Sequence, residues 1–281
     1  MTELQILDGK SLEALAQELG ATVGGSSEKT NASRLPQLAI NSLPDDENGN
    51  PLPRGHFYIK GTEEIAFAET VTFRPLAHHF QYLHWDAQAN NLANKTRIIA
   101  SFTEEARDIK RTIHCGKPTS KVLAEMPEEA RDRFADITCF RQVRGLVSYS
   151  GKTQGGKTAT ITNQPVILML KGTNFQPFED EYLKALTRCR NIWDYQAKVT
   201  SKRHKNGSVT WFTFHFSPDL KTPLALDQAT YESMGVIADA IRSENQRVDD
   251  AYHSMLKNQN LDKRALDALD SSLEADFEEV A

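Results

Sequence analysis

The segment KVTSKRHKNGSVTWFTFHF, residues 198–216, predicts two strands joined by a tight turn. The Asn206-Gly207 pair predicts the turn, since type I′ hairpins need a positive φ at both central residues. Successive residues of a strand point to opposite faces. One face of the second strand carries Val209, Trp211, Thr213 and His215, and the other carries Thr210, Phe212, Phe214 and Phe216. One set of aromatic rings can therefore fill a core while the other stays exposed.

The same hairpin carries a cluster of positive charge before its turn, formed by Lys198, Lys202, Arg203 and Lys205. A cationic hairpin with an exposed ring could hold single-stranded nucleic acid, because the charges attract phosphates and the ring stacks on bases. The alternative is an ordinary strand of a sandwich or barrel. In that case the aromatic side chains pack inside and the lysines are solvated.

Length and composition indicate the broad class of protein. The chain has 281 residues, of which 39% are hydrophobic and 25% are charged. These values are typical of a soluble globular protein, either one large domain with appendages or two domains. The sequence has no apolar run long enough for a membrane span, and its N-terminus lacks the basic start and apolar core of a signal peptide. We therefore expect a cytoplasmic protein.

The net charge of −5 hides an asymmetry along the chain. Residues 140–216 contain twelve Lys and Arg against four Asp and Glu, a net charge of +8. Residues 261–281 contain two Lys and Arg against seven Asp and Glu, a net charge of −5. A basic middle segment indicates an anionic partner, and an acidic end indicates a tail that could compete with it.

Periodicity predicts the domain organisation. We expect an N-terminal helix and linker over 1–33, a β-rich core over 34–221 with a helical insertion at about 103–136, a helix over 222–260 and an acidic tail over 261–281. Within the core, 68–75 and 78–85 predict two separate strands, and 137–149 and 159–171 predict two longer ones. The C-terminal helix is predicted by Tyr231, Met234, Ile237, Ala238 and Ile241, which recur at helical spacing.

Residues 151–158, GKTQGGKT, match the phosphate-binding pattern G-x-x-x-x-G-K-[ST]. That loop works where a strand runs into a helix, because the helix N-terminus then meets the phosphates. The following residues are β-branched, and Pro165 would disrupt a helix begun at Thr158. We therefore predict a hairpin loop that carries Lys152 and Lys157, and an NTPase site is the less favoured alternative.

Other catalytic or metal sites find little support in the sequence. His114, Cys115, Cys139 and Cys189 could bind zinc, but they contain no C-x-x-C pair, and isolated thiols are the favoured interpretation. His78 and His79 have opposite parity on a predicted strand, which would split a histidine site between two faces. No nucleophile elbow or zinc-protease helix motif appears in the sequence. We expect neither an enzyme nor a cofactor or metal.

The nucleic-acid interpretation is favoured because basic and aromatic residues interleave along several predicted strands. Rings would stack on bases and cations would hold phosphates, with an affinity that depends on salt. The predicted nucleic-acid-binding residues are Phe140, Arg141, Arg144, Lys152, Lys157, Lys171, Lys202, Arg203, Lys205, Trp211 and Phe214.

The tail, DSSLEADFEEVA over 270–281, is acidic with a single aromatic residue, Phe277. Together with CFRQVRGLVSY, KGTNF and KRHKNGSVTWFTF, it resembles the single-stranded DNA-binding proteins of tailed phages and bacteria. The resemblance covers 34–216 and the tail, and it implies an oligonucleotide-binding barrel whose tail competes for the DNA groove. It also implies that Asp276, Phe277, Glu278 and Glu279 recruit replication or recombination proteins. Such tails usually end at or beside the aromatic residue, whereas four residues follow Phe277 here.

These observations together predict a β-rich α+β fold with a five-stranded, oligonucleotide-binding-like barrel. The predicted function is sequence-independent binding of single-stranded DNA in phage replication or recombination. The main alternative is a phage interaction protein or virion component that uses the N-terminal helix and acidic tail. Recognition of RNA, homo-oligomerisation and metal binding by the cysteines are left open.

Overall fold

The computed structural model describes residues 35–258, except 63, 103, 105, 110–119, 133 and 187–190. The predicted N-terminal helix and linker and the acidic tail lie outside the described residues, as do His114, Cys115 and Cys189. No helix in this part of the chain is long and apolar enough to cross a membrane.

The described strands form one nine-stranded sheet. The strands are β1 (Gln37–Ile40), β2 (Phe57–Lys60), β3 (Ala66–Phe67), β4 (Thr70–Asp86), β5 (Asn91–Lys95), β6 (Ile137–Thr153), β7 (Thr158–Leu170), β8 (Ala197–Asn206) and β9 (Val209–Pro218). Their order is β2-β1-β7-β6-β4-β8-β9, with β3 added on β6 and β5 added on β4. β1 and β7 are parallel, and the other strand pairs are antiparallel.

The sheet curls into a half-barrel, so that its two edge strands approach each other. Phe57 of β2 and Phe214 of β9 belong to opposite edges, yet their ring centres lie 5.7 Å apart. The Ser201 hydroxyl of β8 also donates to the carbonyl oxygen of Gly55, just before β2, at 2.5 Å. The prediction of a β-rich mixed fold is confirmed. The sheet has more strands than the predicted five-stranded barrel, and an oligonucleotide-binding topology is not confirmed.

A short helical segment fills the concave side of the sheet. It comprises α3 (Phe175–Pro177), a π-helical turn (Phe178–Tyr182) and a 3₁₀ turn (Leu183–Ala185). Phe178 and Tyr182 are fully buried there, and the Tyr182 hydroxyl bonds the carbonyl oxygens of Ile192 and Tyr195, each at 2.7 Å. The predicted insertion contains two further short helices, α1 (Ser120–Glu125) and α2 (Glu128–Asp132), which precede β6.

The long helix α4 (Gln228–Asn258) covers the convex side and confirms the helix predicted from apolar spacing. Met234, Ile237, Ala238 and Ile241 are buried against a cluster that includes Leu76 of β4. Farther along the helix, the Asn245 amide accepts from the backbone nitrogen of Ile98 at 2.7 Å and donates to its carbonyl oxygen at 3.0 Å. The helix is thus held by apolar packing and by a side chain that satisfies buried backbone groups.

Strand β4 is continuous where the sequence predicted two strands. Pro75, which has no N–H to donate, lies at a β-bulge, and the register against β6 shifts between Pro75 and Ala77. Gly145 of β6 faces this bulge, and a Cβ built on it would lie 2.2 Å from the carbonyl oxygen of Arg74. The bulge absorbs the proline, and the missing side chain at Gly145 lets the two backbones approach.

The edge strand β9 is covered by the helical segment and by Asn174, the residue immediately before that segment. The Asn174 side chain donates to the carbonyl oxygen of Phe212 at 3.2 Å and accepts from the backbone nitrogen of Phe214 at 2.7 Å. The Glu181 carboxylate accepts from the backbone nitrogen of Phe216 at 2.7 Å. Side chains therefore satisfy the backbone groups that another strand would otherwise pair with.

Substitution Gly145→Ala should lower the free energy of unfolding by about 1–3 kcal/mol, because the added methyl group overpacks a buried backbone contact. Chemical denaturation would measure the loss. Gly155→Ala is the matched control, since only the Thr153 hydroxyl lies within 4 Å of a Cβ there, at 3.8 Å. Equal stability of the two variants would contradict this account of the bulge.

Candidate nucleic-acid interface

Strands β8 and β9 form a two-stranded ribbon at one end of the sheet. They pair from Ala197↔Pro218 to Asn206↔Val209, whereas β4 pairs only with residues 197–200 of β8. The six remaining residues of β8 therefore extend past β4 by roughly 20 Å. The predicted hairpin is confirmed, but its turn is shifted by one residue. Gly207 and Ser208 are the central residues, and Gly207 alone has a positive φ, +57°, as in a type II′ turn.

The two faces of the ribbon have different roles. Phe214 and Phe216 are buried in the concave core, and Phe212 packs so closely on Gly55 that a Cβ there would lie 2.8 Å from its ring. Trp211 points to the opposite face and is only partly buried. Its ring is stacked on His204, with centres 5.4 Å apart and planes 15° apart. Of the rings predicted in this hairpin to stack on bases, Trp211 is therefore the accessible one.

A chain of hydrogen bonds holds the ring on which Trp211 stacks. His204 Nε2 lies 2.8 Å from the Thr213 hydroxyl, which lies 3.3 Å from His215 Nε2. His215 Nδ1 lies 2.7 Å from the Glu181 carboxylate. The Glu–His–hydroxyl order resembles a hydrolase triad in composition. However, Thr213 is 3% exposed and its hydroxyl is bonded on both sides, so this arrangement positions rings rather than presenting a nucleophile.

The ribbon carries four Lys and Arg side chains and no acidic residue of its own. Lys198, Lys202, Arg203 and Lys205 are exposed, and neither strand contains Asp or Glu. Within the described residues, no carboxylate forms an ion pair with any of these four side chains. Lys198 and Lys202 share the face of Trp211, because Lys202 pairs with Thr213 and Lys198 with Ser217. Charge and an aromatic stack therefore occur together on one surface.

The hairpin between β6 and β7 projects from the same end of the sheet. Ser148 of β6 pairs with Thr72, close to the start of β4, and β6 then continues to Thr153. It therefore extends past the same end of β4 as the ribbon does. Gly151 and Thr158 belong to these two strands, so the segment GKTQGGKT forms the predicted hairpin and does not open a helix. Lys152 and Lys157 at this hairpin are exposed.

A cleft of about 460 Å³ lies beside this hairpin. Its lining includes Pro53, His56, Phe67 and Lys152. The loop that contributes Pro53 and His56 also contributes Gly55, which contacts Phe212 of the ribbon. The cleft and the ribbon are therefore joined by one short loop. Asp46 accepts a hydrogen bond from Gln154 at 2.9 Å, which makes this hairpin less cationic than the ribbon.

The remaining predicted residues do not join this surface. Phe140 and Lys171 lie together, with Lys171 Nζ 5.4 Å from the Phe140 ring centre, but at the opposite end of the sheet. That end is roughly 35 Å from the start of the ribbon along β4. Phe214 is 7% exposed and belongs to the core. The predicted partner-binding residues Asp276, Phe277, Glu278 and Glu279 lie outside the described residues.

The two arginines predicted on β6 are buried. Arg141, 3% exposed, pairs with Glu179 at 2.9 Å and lies over the rings of Phe175 and Phe80, 4.6 and 5.4 Å from their centres. Arg144, 6% exposed, faces the opposite side of the sheet under α4. Neither guanidinium is available to a phosphate at the surface in this structure, because flanking helices cover both faces of β6.

The histidines of β4 lie on opposite sides of the sheet, as their parity predicted. His78 packs on Phe178 in the concave side, where burial, and then the charge of Arg141, lowers its pKa from 6.5 to about 3. His79 is fully buried on the convex side, where burial, and then the charge of Arg144, holds its pKa well below 6.5. Both residues are therefore neutral in the folded protein at pH 7.

The described residues give no support to a metal site. They contain no group of three His, Cys, Asp or Glu side chains that could hold a metal ion. Burial raises the pKa of the Cys139 thiol to about 11, which disfavours the thiolate that metals bind.

Comparison with protein-family models, with curated proteins and with solved structures returns no match for this chain. The charge and accessible side chains of the surface are therefore the basis for a function.

The sequence predicted Trp211 and its neighbouring cations as site residues but did not predict the residues that support the stack. The alternation of β9 places Thr213 and His215 on the face of Trp211, which is a usable signal. Glu181 lies on a helical turn, 34 residues before His215 in the sequence. Its ion pair with His215 depends on tertiary packing, which no local sequence pattern indicates.

The buried histidines predict a pH dependence of stability. Their folded pKa values lie below the unfolded value of 6.5, so the unfolded chain binds more protons below that pH. The free energy of unfolding should therefore fall as the pH drops from 6.5 towards 3, by up to about 1.4 kcal/mol per pH unit for each histidine.

Urea denaturation of wild type and His79→Leu across this range would test the expectation. The variant should lose stability less steeply below pH 6.5, because one of the two neutral histidines is gone. Parallel pH profiles for the two proteins would show that His79 does not bind a proton on unfolding.

Proposed function

We propose that this protein binds single-stranded nucleic acid, independently of sequence, through the β8–β9 ribbon. The observation that carries the proposal is one face of the ribbon, on which the partly exposed Trp211 stacks on His204 and which also carries the exposed Lys198 and Lys202. Exposed cations supply attraction to phosphates through counterion release, and an aromatic ring supplies stacking on bases. Single-stranded DNA is the proposed ligand, and RNA is an outcome that the same assay distinguishes.

A partly exposed tryptophan on a rigid support suits base stacking. The indole is already held flat on His204, and His204 is fixed through Thr213 and His215 to Glu181. A base that stacks on the free face of Trp211 therefore orders few side chains, which lowers the entropic cost of binding. Stacking has no requirement for a particular base, since every base presents a π face.

The cleft beside the β6–β7 hairpin offers a continuation of this path. It adjoins the ribbon through the loop that contains Gly55, and Phe67 and Lys152 line it. A strand that continues past the ribbon would place a nucleotide in the cleft, with its phosphate near Lys152. A curled sheet would in this way serve as the barrel does in oligonucleotide-binding proteins, without the same strand topology.

The proposed biological role is single-strand binding in phage replication or recombination. Support comes from the cationic ribbon and from the resemblance of the tail to those of phage and bacterial single-stranded DNA-binding proteins. The tail residues Asp276, Phe277, Glu278 and Glu279 would compete with DNA for the ribbon and recruit replication or recombination proteins.

Binding of a labelled oligothymidine, followed by fluorescence anisotropy at several salt concentrations, tests the ribbon. Trp211→Ala should weaken binding by about 1–3 kcal/mol with little change in the salt dependence, because it removes stacking. Lys198→Ala combined with Lys202→Ala should flatten the slope of log K against log salt by roughly 1.4, since each phosphate contact contributes about 0.7.

Matched controls are available elsewhere on the chain. Trp85→Ala removes an exposed tryptophan from the β4–β5 hairpin, and Lys121→Ala with Arg131→Ala removes two exposed cations from α1 and α2. Neither control should change affinity. The proposal fails if wild type does not bind at low salt, or if the ribbon variants bind as tightly as the controls. Repetition with oligouridine measures the preference between DNA and RNA.

Neutralising the tail tests competition separately. The full chain with Asp276→Asn, Glu278→Gln and Glu279→Gln should bind oligothymidine more tightly than wild type, and the gain should shrink as salt screens the charges. Unchanged affinity at low salt would remove the tail from the proposal without affecting the ribbon.

A further inference from the structure

A second pocket lies on the convex side of the sheet, between β4, β6 and β7 and the helix α4. Its volume is about 320 Å³. The apolar part of its wall includes Leu83, Ile98, Ile167 and Met169. Its polar lining includes Gln81, Lys95, Gln142, Arg144, Glu244 and Arg247. The pocket therefore combines an apolar enclosure with a small number of charged groups, as binding sites for small molecules do.

The Arg144 side chain in this lining is held by a chain of buried hydrogen bonds. Its Nη2 donates to Gln142 Oε1 at 2.6 Å, and Gln142 Nε2 donates to Gln81 Oε1 at 2.6 Å. Gln81 Nε2 in turn donates to the carbonyl oxygen of Thr96 at 2.7 Å. Because both amides use their oxygens to accept, the chain fixes the orientation of the guanidinium without neutralising its charge.

The other terminal nitrogen of Arg144, Nη1, is buried and has no hydrogen-bond partner. Burial lowers the pKa of the Arg144 guanidinium to about 10, and the charge of Glu244 only partly opposes this effect. Glu244 is itself engaged by Lys95 and by Arg247, whose Nη2 lies 3.2 Å from its carboxylate. A buried cation without a bonded anion is costly, because its lost hydration is not replaced.

We propose that this pocket binds a small organic anion, a carboxylate or phosphate group on a short apolar body, with the anionic group bonded to Arg144 Nη1. The lining carries three cations against one carboxylate, so its net charge favours an anion. The apolar wall would cover the body of the ligand. This site lies under α4 and does not depend on nucleic-acid binding by the ribbon.

An arginine suits this buried position better than an apolar residue does only when an anion binds to it. A buried arginine with no anionic partner lowers stability, and an apolar side chain of similar size there would be tolerated or would stabilise the protein. A ligand reverses this balance, because a charge-assisted hydrogen bond in a partly enclosed site is stronger than one in water.

Isothermal titration calorimetry of the full chain at constant ionic strength tests the site, with inorganic phosphate, acetate and hexanoate as probes and hexan-1-ol as the neutral control. We expect hexanoate to bind more tightly than acetate, and hexanol not to bind. Comparison of the affinities for phosphate and for acetate shows which of the two anionic groups the pocket prefers. Arg144→Met should weaken anion binding at least about tenfold, as expected for a lost charge-assisted hydrogen bond.

A second variant keeps the test decisive if Arg144→Met does not fold. Met169→Trp leaves Arg144 in place and fills the pocket from its wall, so it should abolish hexanoate binding. Trp211→Ala, on the ribbon, should bind hexanoate as wild type does. The proposal is overturned if none of the three anions binds wild type saturably at millimolar concentration, or if binding survives in Met169→Trp.

Discussion

The pairing of β4 with β6 is the constraint on which the rest of the structure depends. The two strands are each 17 residues long and lie side by side from Thr72↔Ser148 to His84↔Ile137. Both faces of this pair are covered, the concave one by the helical segment and the convex one by α4. The pair therefore behaves as a central wall, and the ribbon and the β6–β7 hairpin are extensions from one end of it.

The bulge at Pro75 determines which β4 side chains lie on each face of this strand pair. Val71 and Phe73 precede it and belong to the concave core, and without an extra residue Ala77 would share their side. Instead Ala77 packs with α4, whereas Phe80 contacts Phe175 on the concave side. One inserted residue reverses the parity of all that follows in the strand. His79 and Gln81 of β4 lie under α4 because of this reversal.

Local patterns in the sequence were sufficient for many of the elements. Helical spacing identified α4, alternation separated the faces of β9, and the β-branched residues after Thr158 excluded a helix at the phosphate-binding motif. Pro75 led to the prediction of two strands because a proline usually ends pairing, and only the opposite Gly145 makes the bulge acceptable. The predicted turn was shifted by one residue because Asn206-Gly207 was interpreted as the centre of a type I′ hairpin, whereas Asn206 pairs with Val209 and Gly207 takes the first central position.

The candidate site was harder to predict, because exposure is a property of packing. Arg141, Arg144 and Phe214 have the same local signature as Lys202 and Trp211, yet flanking helices or the curled core bury them. Nothing within a strand reports that a helix will cover it. Charge and ring content identify the segments that could bind a polyanion, and tertiary structure selects which of their residues are accessible.

The covered edge of β9 has a consequence for how this protein behaves when many copies crowd together. A flat, exposed aromatic strand is a template on which other chains add as further strands, which leads to aggregation. The side chains of Asn174 and Glu181 already bond the β9 backbone groups with which an added strand would pair. Because these side chains already bond the edge of β9, copies of this protein can lie close together without joining their sheets.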